Sequence, residues 1–144
     1  MPTKTVAIAC DHAGTDLKAV LARELGAMGC EVLDLGTHGP DSVDYPDFGH
    51  ALAEAVVSGR AGTGVLICGT GIGISIAANR HAGVRAAVCH DATSARLARE
   101  HNDANVLALG ARLIGVETAK DCLRTFMSTE FAGGRHARRV EKLG

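Results

Sequence analysis

The chain has 144 residues, enough to bury one core and too few for two ordinary domains, so it reads as a single domain spanning 1–144. Hydrophobic residues make up 47% of it but aromatics only 3%, with no Trp, which leaves a core of Val, Ile, Leu and Ala suited to helices packed closely on a parallel sheet. A formal net charge of −1 argues against general attraction to nucleic acid or an anionic membrane, so any anion site has to be local.

The first residues, Met1-Pro2-Thr3-Lys4-Thr5, contain no leader-like apolar core, and no apolar run approaches the ~18 residues of a membrane span. A soluble, cytoplasmic protein is expected. Val6 to Cys10 reads as a strand, Asp11 to Gly14 as a polar turn, and Leu17, Val20, Leu21 and Leu25 as one face of a helix. Glu31 to Leu35 predicts the next strand, and Ala51, Leu52, Ala55 and Val56 a helix. Gly64 to Cys68 predicts a strand that a glycine turn joins to a helix over 72–78. Val84 to Cys89 and Asn105 to Leu109 continue the series, with a helix around Ala92 to Glu100 between them and another from Val116 to Phe126. The unbroken apolar runs Val65-Leu66-Ile67 and Val84 to Val88 predict strands buried on both faces. Beyond Gly133-Gly134 lies a basic tail, 133–144. Strands alternating with helices predict a three-layer α/β/α, doubly wound (Rossmann-like) fold with a five-stranded parallel sheet. Such sheets bind ligands beyond the carboxyl ends of their strands.

Five cysteines, Cys10, Cys30, Cys68, Cys89 and Cys122, are scattered without a CxxC pair or a zinc-like spacing, so reduced thiols and no metal site are expected. The segment Cys68-Gly69-Thr70-Gly71-Ile72-Gly73-Ile74-Ser75 follows a buried strand and opens a helix. Its glycines can turn backbone amides inward and the helix start adds positive potential, a cradle for an oxyanion that also favours a Cys68 thiolate. The plainer alternative is a tight turn with Cys68 as a small core residue. Nucleotide fingerprints fail here: the dinucleotide pattern would need glycine at Ile74 or Ile76, and no Lys supplies a P-loop. A cysteine phosphatase would need Arg where Ile74 stands.

Asp11-His12 could orient a hydroxyl and bind phosphate, or Asp11 could cap the following helix. His101-Asn102 could move a proton and hold a hydroxyl, or simply end a helix. Arg112, Arg135 and Arg139 could clamp phosphate through paired hydrogen bonds, the last two sharing a face if the tail is helical. The remaining histidines and cysteines read as structural.

Asp11-His12-Ala13-Gly14, Asp44-Tyr45-Pro46, Cys68 to Ala78, His101-Asn102-Asp103 and Gly133-Gly134-Arg135-His136 stand here in one order. Together they resemble the ribose-5-phosphate isomerase B family, which also includes galactose-6-phosphate and allose-6-phosphate isomerases. The resemblance implies a metal-independent aldose–ketose isomerase without cofactor. Cys68 would be the base, the amides of Gly69, Gly71, Ile72 and Gly73 would hold the enediolate, and Thr70 would assist proton movement. His101 would open the sugar ring, with Asp11, Asn102 and Tyr45 on the sugar. Phosphate would lie among His12, Arg112, Arg135 and Arg139. The resemblance further implies a homodimer, with tetramer assembly left open, in which His101, Asn102 and the arginines come from the neighbouring subunit. Relatives with Ser in place of Cys68 use an acidic residue in the next helix, but 72–78 contains no Asp or Glu. The expected reaction interconverts ribose 5-phosphate and ribulose 5-phosphate. A six-carbon sugar phosphate as substrate, or sugar-phosphate binding without catalysis, are the rival readings.

Overall fold

The computed structural model describes residues 3–144; Met1 and Pro2, the start of the segment read as lacking a leader, lie outside it. Strands β1 (Thr5–Cys10), β2 (Glu31–Asp34), β3 (Thr63–Cys68), β4 (Ala86–Val88) and β5 (Val106–Gly110) alternate with helices α1 (Thr15–Ala27), α2 (Tyr45–Val57), α3 (Ile72–Ala78), α4 (Ala92–Asn102) and α5 (Val116–Ser128). A sixth helix, α6 (Arg135–Leu143), occupies the basic tail. All neighbouring strands run parallel in the order β2-β1-β3-β5-β4. After β2 the chain crosses to the other side of β1, so the connections diverge between β1 and β3, the position at which sheets of this kind bind ligands beyond their carboxyl ends.

The absence of large aromatics shows in the packing. On one face Val6, Ile8, Val65, Ile67, Leu107 and Leu109 meet α1, α4 and α5 through Leu21, Leu25, Ala95 and Leu123. On the other, Ala7, Ala9, Leu66 and Ala108 meet α2 and α3 through Leu52, Ala53, Ile74 and Ala78. Small residues on this second face bring its helices close. An added Cβ at Gly49 of α2 would stand 2.8 Å from the Ala77 Cβ and 3.0 Å from the Ile74 carbonyl oxygen of α3. Gly49→Ala is therefore expected to cost about 1–3 kcal/mol by overpacking, read as a lowered midpoint in urea unfolding.

Val84 to Val88 does not form the doubly buried strand its apolar run predicts. Only Ala86–Val88 is strand, it lies at the sheet edge, and all three residues are half-buried. Periodicity cannot report this, because an apolar run carries no information about which neighbours a strand acquires. Two helices on the α2/α3 side, one of them only 7 residues long, also cover less than the three opposite. Among the described residues no helix is long and apolar enough to cross a membrane.

Candidate active site

The candidate site is built around the end of β3. Cys68 is 4% exposed, and the Gly71 amide donates a hydrogen bond to its Sγ at 3.1 Å. Gly71 has φ +79 and a Cβ there would stand 2.8 Å from the Leu109 carbonyl carbon, so only glycine lets the loop pass this close to β5. The Ile72 amide donates to Thr70 Oγ1 at 3.2 Å, and Ser75 Oγ, buried, donates to the Ile72 carbonyl at 2.7 Å. Gly73 lies under the Tyr45 ring: a Cβ there would be 2.5 Å from Tyr45 Cε1. Tyr45 is placed by the first turn of α2, which Pro46 pre-organises.

Asp11 continues β1. Its amide donates to the Ile67 carbonyl at 3.1 Å, which sets it beside the residue preceding Cys68. The alternative role as helix cap is not observed. Gly14 occupies the cap position without a side-chain bond, and Asp11 Oδ1 instead accepts from the Ala13 amide at 3.0 Å. Asp11 is 7% exposed. His12 Nδ1 accepts from the Val43 amide at 3.1 Å, which leaves Nε2–H as the donor of the neutral ring. This bond ties His12 to the loop between β2 and α2. Lys18, 4% exposed, holds the end of β2, where that loop begins, by donating to Asp34 Oδ1 at 2.6 Å. Burial opposes the Asp34 charge, but the Lys18 and Gly36 hydrogen bonds win and hold the carboxyl below its usual range. Neither the Lys18–Asp34 pair nor the Val43 amide carries a sequence signature.

Arg112 follows β5, and its side chain lies over Gly69, where a Cβ would be 3.5 Å from Arg112 Cδ and Nη1. Its amide donates to the Gly69 carbonyl at 3.0 Å. Arg112 thus stands beside the Cys68 loop of its own chain. Burial pushes the Cys10 and Cys122 thiols up to about 11 and raises that of Cys89, which keeps all three protonated.

The remaining predicted residues are elsewhere. His101 and Asn102 end α4, immediately before β5 begins, and so occupy the amino edge of the sheet. The 5 residues of β5 put roughly 16 Å between them and the Cys68 edge, at about 3.3 Å per residue. Arg135 and Arg139 stand one turn apart on α6, which packs against α4. His136 joins them: its ring stacks on that of His101 at 4.3 Å and 15°. Desolvation, then repulsion from His101, Arg135 and Arg139, lowers the His136 pKa and favours the neutral ring against which His101 rests. His136 stands among the recognisable motifs, but its stacking role is legible only once α4 and α6 are seen together. One chain therefore carries two partial constellations, at opposite edges of the sheet: Asp11, His12, Tyr45, the Cys68 loop and Arg112 at one, and His101, Asn102, Arg135, His136 and Arg139 at the other.

Comparison with known proteins identifies the family. The model of the Ribose/Galactose Isomerase family matches residues 6–143. The ribose-5-phosphate isomerase B of Escherichia coli (strain K12) is 47% identical over 140 residues, covering 97% of this chain and 94% of its own. The D-erythrulose-4-phosphate isomerase of Pectobacterium atrosepticum is 44% identical over 142 residues, covering 97% and 93%. Among solved structures, the Clostridium thermocellum ribose-5-phosphate isomerase B superposes with a TM-score of 0.96 at 56% identity, over 97% of this chain and 95% of that one.

Proposed function

The chain belongs to the ribose/galactose isomerase family, and from that membership we propose that it is a type B aldose–ketose isomerase interconverting ribose 5-phosphate and ribulose 5-phosphate. The observation that carries the chemistry is the Cys68 sulfur at the mouth of a turn of backbone amides, with the Gly71 N–H 3.1 Å away. Cys68, as thiolate, removes the proton from C2 of the open-chain aldose. The C–H electrons form the C1=C2 bond and the carbonyl oxygen becomes an oxyanion, which the amides of the Gly69 to Gly73 turn hold. Thr70 passes a proton between the two enediol oxygens. Cys68 then returns its proton to C1, which gives the ketose with no net redox change.

Ring opening precedes this step: the C1–O4 bond breaks, O4 gains a proton and the C1 hydroxyl loses one. His101 moves these protons, with Asn102 and Asp11 on the sugar hydroxyls. His12 Nε2–H, Arg112, Arg135 and Arg139 bind the phosphate. Residues separated by the length of β5 act on one substrate only if two chains bring opposite edges together, so the unit of activity is a two-fold homodimer with shared sites. The exposed apolar residues support this. Ile72 and Ile76, one turn apart on α3, are 51% and 52% exposed, and Leu143 on α6 is 63% exposed. Together they offer apolar surface that a second copy would bury.

Mixing Cys68→Ala with His101→Ala tests the shared site. Each variant alone is expected to be inactive, and random reassociation should restore about a quarter of native activity, because half the dimers then carry one intact site of two. No restoration after subunit exchange would place each site within one chain. For substrate choice, kcat/KM should be highest with ribose 5-phosphate among ribose 5-phosphate, erythrose 4-phosphate and allose 6-phosphate, and a higher value with either of the others would reassign the substrate.

A further inference from the structure

We propose that Asp103, clamped between Arg85 and Arg99, is a positioning residue that sets His101 and Asn102 for sugar-ring opening; this rests on the isomerase reading above. Asp103 is the one non-glycine residue with positive φ among those described (φ 45), a left-handed position that ends α4 directly after Asn102. Three charge-assisted contacts hold it there. Arg99 Nη1 donates to Oδ1 at 2.9 Å, Arg85 Nη2 approaches Oδ2 at 3.5 Å, and Arg85 Nε donates to the Asp103 carbonyl at 2.9 Å.

Both arginines are anchored beyond the carboxylate. Arg99, one turn earlier on α4, also donates to the Ala104 carbonyl at 2.7 Å and to the Thr129 carbonyl at 3.0 Å, and its guanidinium stands 5.7 Å from the Phe126 ring centroid. Arg85 precedes β4, and its amide donates to Asn105 Oδ1 at 2.8 Å. The last turn of α4 is thereby fixed to the β4 strand on one side and to the end of α5 on the other. A helix end ordinarily frays, and this one carries two residues that must meet a substrate held by another chain. The Arg85–Asp103–Arg99 clamp removes that freedom at one end of His101, as the His136 ring does on its face.

A simple helix stop would stabilise the protein without distinguishing one chemical step from another. The clamp instead acts on ring opening alone, so it can be separated by substrate form. Ribose 5-phosphate is largely a closed furanose. Ribulose 5-phosphate, with O5 esterified, cannot close a five-membered ring and exchanges its C1 proton with solvent through Cys68 alone. Asp103→Gly removes the carboxylate yet accepts the left-handed backbone, and Asp103→Asn keeps the shape without the charge. Both are expected to lower kcat/KM for ribose 5-phosphate about tenfold, the equivalent of one charge-assisted hydrogen bond, while deuterium wash-in at C1 of ribulose 5-phosphate and the dimer mass in light scattering stay at native values. Arg85→Lys, which keeps the charge but loses the fork, should show the same split more weakly and stays informative if the glycine variant does not fold. Loss of both activities together, or of neither, overturns the proposal. A native protein lacking both would overturn the isomerase reading instead.

Discussion

Replacing Cys68 with alanine is expected to abolish exchange of the C2 proton of ribose 5-phosphate with solvent, a fall of roughly 10²–10⁴-fold, the usual contribution of a positioned general base. The helix that follows, Ile72 to Ala78, contains no carboxylate to take over its role, and Asp11, beside the residue preceding Cys68, accepts the Ala13 amide through Oδ1. The substitution removes only a small buried group, and the Cβ remains, so the thermal midpoint should change little. Equilibrium dialysis should likewise give near-native affinity, since the phosphate ligands are untouched. Native-rate exchange in this variant would remove Cys68 as the base. A native protein that binds sugar phosphate but catalyses no exchange would leave a binding protein in place of an enzyme.

Gly71→Ala is expected to be nearly as damaging for a different reason. At φ +79 a side chain costs about 1–2 kcal/mol in backbone energy, and the new Cβ would stand 2.8 Å from the backbone of β5, which cannot yield as a flexible side chain could. The loop must move away from the sheet, and with it goes the amide that donates to Cys68. Losing one pre-organised donor at a developing oxyanion lowers kcat by about 10²–10³-fold. Rates and urea unfolding measured on the same preparation separate the two contributions. A folded variant with native kcat would show that this amide has no catalytic task.

The strands and helices were legible because each writes its own period into consecutive residues: Leu17, Leu21 and Leu25 for α1, Val65 to Ile67 for β3. The Cys68 turn was legible for a similar reason, since thiol, glycines and helix start are contiguous. What sequence could not give is set by partners distant in the chain. The edge position of β4 depends on β5 inserting between it and β3. That Arg112 belongs to the Cys68 loop while Arg135 and Arg139 do not follows from which end of β5 each stands near, and three arginines look alike until the sheet has a direction. The Val43 amide on His12 is a backbone contact and has no residue type to betray it. The left-handed turn at Asp103 is equally silent, because His101-Asn102-Asp103 reads as a polar helix end with or without it.

On the proposed reading, two partial constellations at opposite edges of one sheet make association a kinetic variable. A separated subunit would hold a base and oxyanion cradle with nothing to open the ring, and a ring-opening histidine with nothing to deprotonate. Turnover per subunit would then fall on dilution below the dissociation constant of the pair and, far below it, the total rate would vary with the square of protein concentration. Substrate bound across the seam would oppose that separation, so saturating sugar phosphate would extend activity to lower protein concentrations.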